Sequence, residues 1–282
     1  MGFLIPEVVS YWGERRACFH RVPAGSVRPS GEWRCGQPYP QVRLASKAVD
    51  KPVVAILHHL ERSFLGHAGP PLLAAGVALD ERRLRDGDAL PRLDEVQGIV
   101  SLGGEQNALD PELAGEARLL GEATERGVPV LGVCLGAQLL AHALGGGVRQ
   151  LARRHVAWLP LEPLPAAAGD PVLGELPPRA AGLHWNEDGF DLPAAATELL
   201  RSPAGSGEGF RAGTRSWGVQ FHPELDEAAL EHWYEDWHGA LAQAGVGEDA
   251  ARAADREHLP GQRPLSEAIF GGFGRVVTRA HG

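Results

Sequence analysis

Cysteine is scarce in this chain of 282 residues: only Cys18, Cys35 and Cys134 occur. So odd and sparse a set excludes a disulfide framework and points to a reducing, cytoplasmic setting. Cys18, His20 and Cys35 match no zinc-ligand spacing, and neither metal nor cofactor is expected. Lysine is confined to Lys47 and Lys51, and arginine carries the remaining positive side-chain charge, as in chains written in GC-rich bacterial codons. Basic residues number 27 against 36 acidic ones, a net charge of -9. Such a surface repels phosphate backbones and argues against nucleic acid as a partner. No apolar run approaches the ~18 residues of a membrane span. The opening "MGFLIPEVVSYWGERR" lacks the charge and cleavage pattern of a secretory leader.

What remains is an ordinary globular balance, 44% hydrophobic and 22% charged. Residues 1–50 are rich in Pro, Gly and Arg without a sustained period. They read as an extension of unassigned role, partly packed through Trp12, Phe19 and Trp33. From residue 51 to residue 282 the pattern is that of one domain. "PVVAILHHL", "VQGIVSLGG" and "VPVLGV" are short β-branched runs of the kind buried on both faces of a sheet. His58 and His59 follow the first strand as loop or rim residues. Between the runs lie helical stretches: "PPLLAAG", then "DPELAGEARLLGEATERG" with Asp110 as N-cap, Pro111 at the first position and Gly127 as stop, then "GAQLLAHALG". "TRSWGVQFHPE" reads as a further strand, "SPAGSGEGF" as a hairpin or loop, and "DEAALEHWYEDWHGALAQAG" as one amphipathic helix whose aromatics pack on the sheet. Residues 248–257 read as a solvated helical face. Strands alternating with helices imply an α/β fold with a mostly parallel central sheet and helices on both faces.

In such a sheet, sites form at the carboxyl ends of the strands. Cys134 stands at one of these ends within Gly132-Val133-Cys134-Leu135-Gly136, the G-x-nucleophile-x-G form of a strained strand-to-helix turn. Flanking glycines remove the side chains that such a turn cannot hold. The helix beyond it aims its positive end at the sulfur. A thiol nucleophile needs a base, a group that orients the base, and donors for an oxyanion. "FHPE" offers His222 as base and Glu224 as its orienting carboxylate. The backbone N–H groups of Leu135 and Gly104 are the candidate oxyanion donors.

With "SLGG", "GVCLGAQLLA", "HWNEDGFDLP" and "WGVQFHPEL" in this order, the chain resembles the class I (triad) glutamine amidotransferases. Within them it is similar to the stand-alone branch akin to the glutaminase domain of GMP synthase. The resemblance spans residues 51–282, including "AIFGGFGRVV" as a closing helix. It implies a flavodoxin-like fold and a Cys134–His222–Glu224 triad. It also implies a substrate pocket with Gln138, one helical turn after the nucleophile, and Asn186, Gly189 and Phe190. Three segments depart from the family pattern. Glu105-Gln106 follow the Gly-Gly pair where relatives usually have proline and small residues. His155-Val156-Ala157-Trp158 stand where relatives often have Glu-Ile-Gly-Trp. His184-Trp185-Asn186-Glu187-Asp188 replace His-Trp-His-Gly-Asp.

Three functions compete. The first is an amidase that splits the side-chain amide of glutamine or a γ-glutamyl compound, with a synthetase partner consuming any ammonia. The second is a γ-glutamyl peptidase or hydrolase acting on a small metabolite without a partner, which the altered segments favour. The third is a regulatory or scaffold protein that keeps the fold without turnover; the complete Cys-His-Glu set argues against it.

Overall fold

Buried apolar runs set the frame. In the computed structural model, which describes residues 51–203 and 205–281, Val53–His58 form β1, Ala78–Arg83 β2, Gly98–Ser101 β3 and Val130–Val133 β4. Of these, β1, β3 and β4 are buried almost throughout, as strands covered on both faces must be. Ser216–Val219, a further strand at the end of the sheet's parallel half, pairs in parallel with β4, and the parallel order is β2-β1-β3-β4 followed by this strand. The sheet then turns antiparallel. Numbered along the chain, β5 (Val148–Pro160), β6 (Glu162–Pro163), β7 (Ala181–Phe190), β8 (Ala196–Ser202) and β9 (Gly205–Ala212) precede that strand, which is β10; β9, β8 and β6 extend the sheet beyond it. The "SPAGSGEGF" stretch thus lies in the β8–β9 hairpin, while β5 and β7 pair separately as a two-stranded ribbon.

Helices cover both faces. On one side α1 (Gly69–Ala74) and the long α6 (Glu248–His281) pack Leu72, Phe270, Phe273 and Val277 against the strands. On the other, α2 (Ala114–Glu125) and α3 (Leu135–Ala143) bury Leu120, Leu139 and Leu140. The remaining helices, α4 (Glu227–Asp236) and α5 (His238–Ala244), form a third apolar cluster with the ribbon. Readings that concern residues 1–50, including Trp12, Phe19, Trp33 and the Cys18–His20–Cys35 set, lie outside the described residues.

Four local expectations are corrected. Asp110 does not cap a helix: its carboxylate accepts the Asn107 N–H (3.0 Å), and Pro111–Leu113 form a 3-10 turn before α2. An Asp beside a turn has this competing local partner. The single helix expected over residues 226–245 is two, broken at Trp237, whose φ of -124° and ψ of 38° are not helical. His58 and His59 are fully buried rather than on a rim. Asp255, in the stretch read as solvated, is also buried and accepts from Trp158 Nε1 and Tyr234 O–H.

The start of α4 is fixed by Asp226, whose carboxylate accepts the Ala229 N–H at 2.9 Å. Asp226→Ala is expected to lower stability by about 1 kcal/mol in urea unfolding, the ordinary cost of a lost N-cap. An unchanged midpoint would show that tertiary packing alone holds that helix.

Candidate active site

The register of the sheet brings three strand ends together. Ser101 of β3 is level with Gly132 of β4, and Gly132 with Gly218 of β10. The residues just beyond these ends are Gly103-Gly104, Cys134 and His222. The Cys134 N–H donates to the Val219 carbonyl (2.8 Å) and the His222 N–H to that of Leu183 (2.9 Å), tying the cysteine's loop to β10 and the histidine to the ribbon.

Cys134 takes φ 51° and ψ -106°, and with Arg179 it is one of two non-glycine residues with positive φ among those described. Such a conformation is held at a cost of roughly 1–3 kcal/mol and persists only where the surroundings enforce it. They do. A Cβ on Gly132 would lie 2.5 Å from the Gly136 backbone, and one on Gly136 would lie 2.1 Å from the Ser101 carbonyl oxygen. The turn therefore closes only with glycine at both places, and α3 begins directly under the sulfur.

His222 completes the geometry. Its Nδ1 donates to Glu224 Oε1 at 2.8 Å, which leaves Nε2 for the sulfur. A Cβ on Gly103 would sit 2.6 Å from His222 Cε1 and 3.6 Å from Cys134 Cβ, so loop, imidazole and cysteine converge on one point. Burial disfavours charge on this imidazole, but the negative charges of Glu224 and Cys134, with the hydrogen bond to Glu224, outweigh burial and push its pKa up to about 10. The Trp233 ring meets it edge-on, with centroids 4.7 Å apart.

A cavity of about 130 Å³ opens over Cys134. Its lining includes Gly104 and the buried Gln138, Asn186 and Asp188. Gln138 is buried and donates from Nε2 to the Asp188 carbonyl (3.0 Å) and, at 3.4 Å, to Gln220 Oε1. Its side-chain oxygen is what it can offer a ligand. Asn186 also donates to the Asp188 carbonyl, and its Oδ1 is buried without a protein partner. Asp188 is held above the usual carboxylate range, chiefly by burial, although Asn107 donates to it (2.8 Å). Gly189 and Phe190 fall outside this cavity. They line a separate hollow with His155 and Glu208, and Phe190 packs edge to face on Phe210.

Several contributors are absent from the sequence reading. Trp185, Trp237 and Arg154 line the cavity, so part of the aromatic cluster read as packing faces the site. Gln220 donates to Cys134 Sγ at 3.6 Å. Beneath the Gly-Gly loop, Ser101 O–H donates to Glu116 (2.7 Å), and the other oxygen of Glu116 accepts from His59 Nε2 (2.8 Å), all three being buried.

Comparison with known proteins places the chain among relatives of one kind. The family model "Glutamine amidotransferase class-I" matches residues 82–234, more than half of the chain. A GMP synthase [glutamine-hydrolyzing] of Thermomicrobium roseum is 33% identical over 145 residues, 51% of this chain but 26% of its own length. A glutamine amidotransferase-like protein of Salmonella typhimurium is 27% identical over 177 residues, covering 60% of this chain and 74% of the relative. Among solved structures, a glutamine amidotransferase from Thermotoga maritima superposes with a TM-score of 0.70 at 27% identity, over 80% of this chain and 98% of that one. The chain thus spans about a quarter of the synthase and nearly all of the solved amidotransferase.

Proposed function

Since the chain belongs to the class I glutamine amidotransferases, we propose that it is an amidase with Cys134 as nucleophile, acting on glutamine or another γ-glutamyl amide. The observation that carries this reading is a strained, glycine-flanked cysteine lining a cavity, with a buried, hydrogen-bonded His222–Glu224 pair packed beside it at the Gly103 turn. The Cys134 thiolate attacks the amide carbon. The oxygen's developing charge is met by the Leu135 and Gly104 N–H groups, the former in the first turn of α3 and free of any intrahelical acceptor. His222, charged in the resting pair, gives its proton to the departing nitrogen as the C–N bond breaks, leaving a γ-glutamyl thioester. Acylation removes the negative charge on sulfur that helped to hold His222 protonated. The neutral imidazole then takes a proton from water, which attacks the thioester; collapse frees glutamate and expels the Cys134 thiolate, restoring the charged pair.

With glutamine as substrate the second product is ammonia, and a synthetase partner would consume it; the relative named as a glutamine-hydrolysing GMP synthase motivates that branch. Glu105 and Glu187 in the cavity wall favour the other branch, a hydrolase of γ-glutamyl metabolites that needs no partner. A thiol nucleophile suits a reducing cytoplasm in both cases. Mass spectrometry of products formed from glutamine and from a panel of γ-glutamyl amides tests the reading. Release of glutamate from at least one supports it, and none released across the panel removes it.

Gln138 is the proposed contact for the substrate's α-amino acid end, through its side-chain oxygen. Gln138→Ala is expected to raise KM more than it lowers kcat. A lost hydrogen bond to a charged group costs about 1.5–3 kcal/mol, or roughly ten- to a hundred-fold in kcat/KM. Acyl amides that lack the α-amino acid end should be unaffected. Equal impairment of both substrate types would place Gln138 in the scaffold rather than in recognition.

A further inference from the structure

We propose that the amine released by this site carries a positive charge of its own, so that the preferred substrate is the γ-glutamyl amide of a diamine or polyamine. The inference rests on the amidase reading and names its leaving group.

The cavity has two ends of different chemistry. Cys134, Gln138 and Asn186 are buried at the deep end, where two acceptor oxygens, Gln138 Oε1 and the unpartnered Asn186 Oδ1, suit the α-ammonium of a glutamyl group. Glu105 and Glu187 stand at the mouth, their side chains 44% and 46% exposed. Glu105 belongs to the loop that carries the proposed oxyanion donor, and Glu187 to the ribbon, so the carboxylates come from separate elements. The indoles of Trp185 and Trp237 line the same cavity. A group extending from the scissile nitrogen toward solvent meets this mouth.

Paired carboxylates with indole walls are a receptor for an ammonium group, through charge and cation–π attraction together. Existing partners do not exhaust the carboxylates. Arg154, the one guanidinium in the cavity wall, binds Glu187 through Oε2 (2.6 Å). Glu105 receives Trp237 Nε1 on one oxygen and Arg85 on the other (3.4 Å). A carboxylate offers about four acceptor positions, so each retains room for a ligand N–H. Glu105, Glu187 and Asp188 in the wall outnumber the two arginines that meet them, Arg154 and Arg85. The chain's net charge of -9 adds a field that draws cations and repels anionic amides.

The two carboxylates are also where this chain leaves the pattern it resembles, Glu105 replacing proline and Glu187 replacing glycine. Neither residue is required by the thiol chemistry. Both face what lies beyond the scissile bond.

The test is steady-state hydrolysis by the full chain of three γ-glutamyl amides of similar length: γ-glutamylputrescine, γ-glutamylbutylamine and the γ-glutamyl amide of aminobutyrate. The expected order of kcat/KM is cationic, then neutral, then anionic, with the first step about ten-fold or more and shrinking at high salt. In the double variant Glu105→Gln/Glu187→Gln the cationic-to-neutral ratio should fall toward one, a readout that general damage to the site would not produce. A neutral amide cleaved as well as the cationic one overturns the inference. So does an unchanged ratio in the double variant, and so does hydrolysis of glutamine with none of the three amides cleaved. If neither glutamine nor any of the amides is hydrolysed, the amidase reading itself fails, and the inference with it.

Discussion

Cys134→Ala is expected to eliminate turnover, with a fall of roughly three orders of magnitude or more, while the protein keeps its fold and still binds substrate. The cavity walls do not depend on the sulfur, and alanine retains the Cβ, so the turn between β4 and α3 is not relieved or further strained. A glutamine-like diazo-ketone should label Cys134 in the native protein and leave Cys18 and Cys35 unmodified, read by peptide mass spectrometry. Undiminished turnover in Cys134→Ala would remove the nucleophile assignment, and so would labelling confined to the other two cysteines.

His222→Ala has the next largest effect, a loss of several orders of magnitude in kcat, and Glu224→Gln loses less because an orienting group costs less to remove than the base. The pH behaviour gives an independent check. Two negative neighbours hold the His222 pKa up at about 10 against the opposing effect of burial. The raised value means that the protonated imidazole persists through neutral pH and is lost only as pH rises toward that value. Removing either charge shifts the balance toward burial. Both Glu224→Gln and Cys134→Ala should therefore make His222 lose its proton at lower pH, seen by NMR of nitrogen-labelled histidine. If His222 titrates identically in the wild type and both variants, the three groups are not electrostatically coupled.

The parts of this architecture that were legible in the sequence are those whose causes are local. Strand, two glycines, cysteine and helix lie within "VPVLGVCLGAQLLA", and each element there follows from its immediate neighbours. His222 and Glu224 are two residues apart, and their hydrogen bond needs only the short "HPE" turn. What stayed hidden depends on distant partners. The helix break at Trp237 accompanies a hydrogen bond to Glu105, 132 positions away, while the surrounding residues keep an unbroken helical pattern. His59 reads as a rim residue until α2 brings Glu116, 57 positions along, underneath it. Arg154 reaches the cavity from a stretch of β5 where pairing with β7 shifts register between Gln150 and His155. An irregularity of this kind leaves no periodic trace in a strand. Phe190 is the converse case: family resemblance put it in the pocket, and its apolar ring went to the core instead.

The last helix gives the site a mechanical dependence. Gln262, fully buried in α6, donates from Nε2 to the His222 carbonyl, and it lies between Pro260 and Pro264. Each proline lacks the N–H that a helix interior uses, so α6 is weakest around the residue that braces His222. Helices open locally at free energies below that of global unfolding. Fraying of α6 therefore withdraws support from the imidazole while the sheet is still intact. On warming, the proposed activity should therefore fade at a lower temperature than the one at which the sheet unfolds.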